Sequence, residues 1–343
     1  MKLTLHTFEL PLVYEFRIAR GGYSVQPTLV VELEQDGCRG YGEATTNSYY
    51  GRTLESMTRT LEQARAEIEV RELGDPAALW ARLDPLCGDD RFALSAVDLA
   101  AYDLWGKLLG KPVFEAWNLS PAALPRSCIT IGLDEPDVMA AKLRDFADWP
   151  IVKIKLGSSH DLEIVRRLRQ DSEAVFRVDA NCGWTAEQTI AYAPELRGLG
   201  VEFIEQPLPV ERNDEMPRVA AASPLPIIAD ESCVLESDVA ICHHLGFAGV
   251  NIKTVKCGGL TPARRMIEAA RGRQMSVMVG CMTESTVGVS GAAQLLPLVD
   301  FADLDGPALI GQDIATGITL RRGAIEFARN EQGYAPGSGI ELL

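Results

Sequence analysis

The sequence has no C-x-x-C pair, only four histidines, a deficit of basic residues and no long stretch free of charge. Each shortage removes a class of function. Cysteines 38, 87, 128, 182, 233, 242, 257 and 281 sit mostly inside apolar runs and lack paired spacing. They give neither a zinc knuckle nor a dense disulfide framework, and are expected to be buried thiols. A net charge of −15 repels phosphate backbones and anionic membrane surfaces, so no nucleic acid and no membrane partner is expected. The longest uncharged stretch, Ser285 to Val299, is Gly-rich and falls short of the about 20 apolar residues of a membrane helix. The N-terminal residues Met1 to His6 alternate like a strand and lack the apolar core of a secretory signal, which points to the cytoplasm.

What is present is an ordinary globular composition, 47% hydrophobic and 24% charged, in 343 residues. That length accommodates a barrel of about 250 residues plus a smaller domain. Residues 1–120 read as an α+β module. Thr28–Gln35 and Cys38–Glu43 flank Asp36-Gly37, a hairpin turn signal, and helical patterns follow at Leu54–Glu72 and Phe92–Trp105, the latter stopping near Gly110 and Pro112. Across 121–320 the rhythm changes to short β-branched runs at 127–132, 151–156, 175–179, 201–205, 226–230, 249–253, 276–282 and 300–304, each followed by a helical pattern. Thr185 with Gln188 predicts a capping box, and Thr261-Pro262 predicts an N-cap with proline at the first helical position. Eight consecutive βα units predict a TIM-type (β/α) barrel, with a doubly wound open sheet as the competing arrangement. Residues 321–343 add strand-like pieces without a further βα unit and are expected to return to the N-terminal module.

In such a barrel the chemistry sits where strands end. Lys153, Asp179, Glu205, Asp230 and Lys253 fall at successive strand ends, spaced 26, 26, 25 and 23 residues apart. Asp179, Glu205 and Asp230, on neighbouring strands, converge. Three carboxylates that close either titrate high or are neutralised by a cation, and an oxygen-only donor set selects a hard ion such as Mg²⁺. Lys153 and Lys155 are two apart and share a face of a strand that is otherwise apolar on both sides. Lys253 stands on the other flank of the acids. Two lysines facing each other across a metal can take a proton from one face of a carbon and return one to the other, which suits stereoinversion beside a carboxylate. His6, His160, His243 and His244 fall at none of the strand ends, which argues against a histidine base.

The strings Lys153-Ile154-Lys155, Asp179-Ala180-Asn181, Glu205-Gln206-Pro207, Ala229-Asp230-Glu231-Ser232 and Asn251-Ile252-Lys253 resemble the enolase superfamily, muconate lactonizing enzyme subgroup. The likeness extends to Gly40–Ala44 and Asp103–Lys107, both similar to that family's capping domain. It implies a modified, enolase-like barrel. It further implies Mg²⁺ on Asp179, Glu205 and Asp230, acid/base roles for Lys155 and Lys253, and Lys153 as the cation stabilising the enolate. Asn181, Glu231 and Lys256 would be outer partners of these groups, Lys256 ranking behind Lys253 as the base.

Strand eight narrows the substrate. Asp303 and Asp305 share a face and form an acceptor for a cation, most simply an α-ammonium group, unless Asp305-Gly306 is only a turn. The resemblance there is to dipeptide epimerases, whose Asp-x-Asp holds the dipeptide N-terminus. Specificity is expected from capping loops at about Phe16–Ser24 and Ser48–Thr53, where Arg20 could meet an acidic side chain and Arg17 and Arg52 compete for that role. The alternatives are an N-acylamino acid racemase, an o-succinylbenzoate synthase or a muconate cycloisomerase of the same subgroup, or a metal-binding homologue without catalysis. A homo-oligomer is expected on the same grounds.

Overall fold

The computed structural model describes residues 1–343 and begins with a three-stranded antiparallel sheet, β1 (Lys2–Ile18), β2 (Gly21–Gln35) and β3 (Cys38–Thr45), in the order β1-β2-β3. The segment expected as a loop at Phe16–Ser24 is instead the tip of a long hairpin, pairing Phe16 with Tyr23 and Ile18 with Gly21. Its alternation is masked in sequence because the register breaks between Pro11 and Phe16, a bulge that flips which face the following side chains occupy. Helices α1 (Leu54–Glu69) and α3 (Arg91–Leu109) cover one face of the sheet, and α2 (Pro76–Cys87) packs against both. The sequence reading missed α2, which opens with Asp75 capping the Ala77 amide and Pro76 in its first turn. Gly40 and Gly42 explain how β3 lies directly on α3: a Cβ at Gly40 would sit 2.3 Å from the Ala100 carbonyl, and one at Gly42 2.1 Å from that of Ala96.

The barrel follows the short α4 (Val113–Ala116). Eight parallel strands run in sequential order: β4 (Ile129–Ile131), β5 (Ile151–Lys155), β6 (Val175–Asp179), β7 (Val201–Glu205), β8 (Ile227–Ala229), β9 (Gly249–Lys253), β10 (Ser276–Gly280) and β11 (Phe301–Asp303). A parallel bridge from Ser127 to Ala302 closes the ring. All eight expected runs are strands, and the open-sheet alternative falls away. The helices between them are α5 (Pro136–Arg144), α6 (Asp161–Asp171), α7 (Ala186–Gly198), α8 (Met216–Ala222), α9 (Glu236–His244), α10 (Thr254–Cys257), α11 (Leu260–Arg271) and α12 (Thr286–Ala293). After β11 comes only the single turn α13 (Gly306–Leu309), so the eighth βα unit lacks a full helix. The Thr185–Gln188 capping box forms as expected. Thr261 does not cap α11: Gly259 is the N-cap, because the Thr261 amide and hydroxyl are both taken by Asp98 of α3, each at 2.8 Å.

Acids of the N-terminal module lock it onto the barrel. Glu43, fully buried, accepts from the Ser285 hydroxyl at 2.5 Å, the Ser285 amide at 3.1 Å and the Gly288 amide at 2.8 Å, meeting the amides at the start of α12 that have no partner within the helix. Asp103 accepts from the Tyr41 amide at 2.9 Å and from the Ser338 amide at 2.6 Å, tying the C-terminal segment to the same module. Lys107 donates to the Ile340 carbonyl beside it. Glu43→Ala is expected to cost about 3 kcal/mol, because several buried donors lose their shared acceptor, and Glu43→Gln less. Thermal unfolding of both variants measures this.

All eight thiols are free; six are buried and two, Cys38 and Cys182, are partly exposed rather than buried as expected. No helix is long and apolar enough to cross a membrane.

Candidate active site

Strand register decides which side chains meet. Lys155, Asp179 and Glu205 are partners across β5, β6 and β7, while Lys253, Gly280 and Asp303 are partners across β9, β10 and β11. Asp230 follows β8 directly. The strand ends therefore form one layer at the carboxyl-terminal mouth, where Lys155, Asp230, Lys253 and Asp303 line a cavity of about 300 Å³ roofed by the β1–β2 hairpin, and Asp179 and Glu205 are fully buried beside them. Just past two of the acids the backbone enters the left-handed region, at Asn181 (φ 44°) and Gln206 (φ 33°), a strained geometry that clusters at functional sites.

The acids and lysines interlock. Lys153, 1% exposed, lies 2.7 Å from Glu205 Oε2, 2.7 Å from Asp303 Oδ2 and 3.1 Å from Asp179 Oδ2. Lys155 reaches Asp179 Oδ2 at 2.7 Å, and Lys253 reaches Asp230 Oδ2 at 2.9 Å. Asp179, Glu205 and Asp230 each offer an oxygen within 4.8 Å of the others. That donor set, all carboxylate, buried and convergent, fits a hard divalent cation.

The electrostatics are those of a site built for such a cation. Burial pushes every one of these carboxyls up, yet Lys155 and Lys153 more than offset it for Asp179, and Lys253 and Lys256 for Asp230, so both stay below the usual range. Glu205 is pushed up to about 7 by burial and then by the Asp179 charge. Burial would lower Lys153 and Lys253, but Asp303 and Glu205 hold Lys153 well above its ordinary value, and Asp230 does the same for Lys253.

Asp303 and Asp305 both face the cavity. Asp303 Oδ1 accepts from Cys128 Sγ at 3.0 Å, and Asp305 Oδ2 accepts from the Thr130 amide at 2.6 Å. Burial and then Asp303 raise Asp305 to about 6. Arg20 also lines the cavity, but its guanidinium is already engaged, at 2.7 Å from Glu231 Oε1 and 2.9 Å from the Asn181 carbonyl, with the Tyr49 ring 4.2 Å beneath it. Arg17 pairs instead with Glu15 on the surface and Arg52 with Asp89, so neither lines this cavity. Lys256 is not at the cavity; it grips Asp230 from behind.

Several residues in and behind the cavity wall had no role assigned from the sequence. Asn251 donates to Glu205 Oε1 at 2.8 Å, and the absence of a side chain at Gly280 makes room for it, since a Cβ there would lie 2.6 Å from Asn251 Oδ1. Its two-residue spacing from Lys253 was the available signal. Gln206 Oε1 accepts from the Asp230 and Ser232 amides, both at 3.0 Å, joining two strand ends. Tyr23 and Thr283, 2.8 Å apart, pin the capping hairpin to the barrel mouth, and no local pattern announces that contact.

Two family models cover nearly all of the chain: Mandelate racemase / muconate lactonizing enzyme, N-terminal domain, over residues 3–116, and Enolase C-terminal domain-like over residues 138–342. The chain belongs to the mandelate racemase / muconate lactonizing enzyme family. Within that family it is similar to the L-Ala-D/L-amino acid epimerase of Flavobacterium johnsoniae, 47% identical over 343 residues that span 100% of both chains. It is also similar to the L-Ala-D/L-Glu epimerase of Bacteroides thetaiotaomicron, 40% identical over 95% of this chain and 85% of the relative. Among solved structures, the dipeptide epimerase from Cytophaga hutchinsonii complexed with Mg and dipeptide D-Ala-L-Val superimposes with a TM-score of 0.93, at 25% identity, covering 100% of this chain and 96% of that one.

Proposed function

We propose that this protein is a Mg²⁺-dependent dipeptide epimerase that inverts the α-carbon of the C-terminal residue by two-lysine 1,1-proton transfer. The observation that carries the reading is the order of charged groups round the mouth: Lys155, then Asp179, Glu205 and Asp230, then Lys253. Relatives that act on dipeptides, and one complexed with Mg and a dipeptide, support it.

Asp179, Glu205 and Asp230 would hold the metal, which when bound supplies Lewis-acid charge for the substrate carboxylate and cancels the acids' hold on the neighbouring ammonium groups. The rest of the chemistry falls to the chain. Asp303 and Asp305 receive the dipeptide's ammonium group. One of Lys155 and Lys253 removes the α-proton and the other delivers a proton to the opposite face. Lys153, already central among the acids, opposes the negative charge that develops as the proton leaves. The capping hairpin, carrying Arg20 and Tyr23, roofs the cavity that would hold the residue whose α-carbon inverts.

The same reading takes residues 1–120 as the capping domain, 121–320 as the catalytic barrel and 321–343 as the segment returning to the cap. It places the enzyme in the cytoplasm as a homo-oligomer; the eight unpaired thiols suit a reducing compartment. The test is deuterium uptake over a dipeptide library. Exchange at the C-terminal α-carbon should need Mg²⁺, disappear after chelation and return on adding Mg²⁺ alone. Exchange that persists after chelation, or none with any dipeptide, refutes the proposal.

A further inference from the structure

Lys256 has more polar partners than any catalytic role requires. It is 1% exposed, and its ammonium lies 2.6 Å from Asp230 Oδ1, 2.5 Å from the Asp230 carbonyl, 3.0 Å from the Cys233 carbonyl and 3.1 Å from the Asn251 carbonyl. It thus ties together the ends of β8 and β9, and it occupies one oxygen of Asp230 while Lys253 occupies the other. A buried ammonium held by four oxygen partners has no freedom to shift, so the carboxylate it holds is fixed in one orientation.

The turn that carries Lys256 belongs as much to the capping module as to the barrel. In α10, Val255 is fully buried in the apolar core of that module, among Leu94, Val97 and Leu83. Immediately after it, the Gly258 carbonyl accepts from Trp80 Nε1 of α2 at 2.7 Å. Gly259 (φ 117°) is packed against Asp98 of α3 so closely that a Cβ there would lie 2.3 Å from Asp98 Oδ2. Apolar packing, a hydrogen bond and a glycine contact therefore fix α10 from the capping side. Lys256 leaves on the other.

We infer that Lys256 is a positioning residue for the metal ligand Asp230, and that through α10 it makes the orientation of that ligand depend on the seating of the capping domain. The inference rests on the reading of Asp230 as a ligand. Charge and position predict opposite results. A fixed ammonium beside a ligand repels a dication, so if charge alone mattered its loss would tighten metal binding; if position matters, its loss weakens binding.

The experiment is calorimetric titration of the metal-free full-length protein with Mg²⁺ alone, beside thermal unfolding of the same samples. Lys256→Met should raise the Kd for Mg²⁺ by about tenfold or more, and Trp80→Phe, remote from the cavity, by a smaller but measurable factor. A Kd unchanged or lowered in Lys256→Met overturns the positioning role, even if that variant unfolds earlier. A wild-type Kd in Trp80→Phe overturns the link to the capping domain. Should Lys256→Met fail to fold, Lys256→Gln, which keeps amide donors for the carbonyls, decides by the same criterion. Failure of the wild-type protein to bind Mg²⁺ would instead refute the metal reading itself.

Discussion

Lys253→Ala and Lys155→Ala are each expected to lower the rate of epimerisation by about 10³-fold or more, the upper part of what a positioned acid/base contributes. Inversion needs a proton acceptor on one face of the α-carbon and a donor on the other, and strand order puts Lys155 and Lys253 on opposite flanks of the three acids. With one lysine gone, the other can still remove a proton and return one to the same face. Each variant should therefore exchange the α-hydrogen of one stereoisomer with deuterated water while producing almost no epimer, and the two variants should differ in which stereoisomer they exchange. Both lysines touch acids assigned to the metal, Lys155 at Asp179 and Lys253 at Asp230, so Mg²⁺ titration should accompany the kinetics. Full activity in either variant refutes the assignment. Epimer formed by the wild-type enzyme without α-deuterium refutes the two-base scheme.

Asp305→Asn is expected to lower kcat/KM for a dipeptide by about 10²-fold, as loss of one partner from a buried charge pair does. The substitution keeps an oxygen for the Thr130 amide, so the strand end stays in place while the charge is lost. Asp303→Asn should cost at least as much, but less cleanly, because Lys153 leans on the same carboxylate at 2.7 Å. An N-acylamino acid has no ammonium group for Asp305 to hold; if such a substrate were the true one, Asp305→Asn would leave its turnover nearly intact, and that result would favour the racemase alternative. A pH effect follows from the same residue. Burial and Asp303 raise Asp305 to about 6, so as the pH falls through 6 it takes up a proton and loses the charge that attracts ammonium. The acidic limb of kcat/KM for a dipeptide should bend near pH 6, and Asp305→Asn should remove that bend.

Much of this site could be read without coordinates because parallel strands are short, apolar runs. A charged residue at the end of an otherwise apolar run has few places to go but the barrel mouth, which is why Asp179, Glu205, Asp230, Lys153, Lys155 and Lys253 stood out. The capping module was less legible. Its helix α2 carries a proline at 85 and little polar–apolar contrast, and the bulge between Pro11 and Phe16 breaks the period-two signal of β1, so the hairpin tip read as a loop. Arg20, Arg17 and Arg52 could not be ranked for the same reason: which of three arginines reaches the cavity depends on how that hairpin lies across the barrel.

The eight-strand barrel, the layer of acids and lysines at its mouth and the chemistry they allow are legible from residue order alone, since period, apolarity and residue type are local properties. Which groups share a proton or a charge depends on the folded arrangement. Lys153 among three acids, Arg20 neutralised by Glu231, Asn251 on Glu205 and Lys256 on Asp230 are contacts between residues 26 to 211 positions apart, set by strand register and domain docking. No local pattern encodes such distances, because they are fixed when the ring of strands closes and the capping module packs onto its rim.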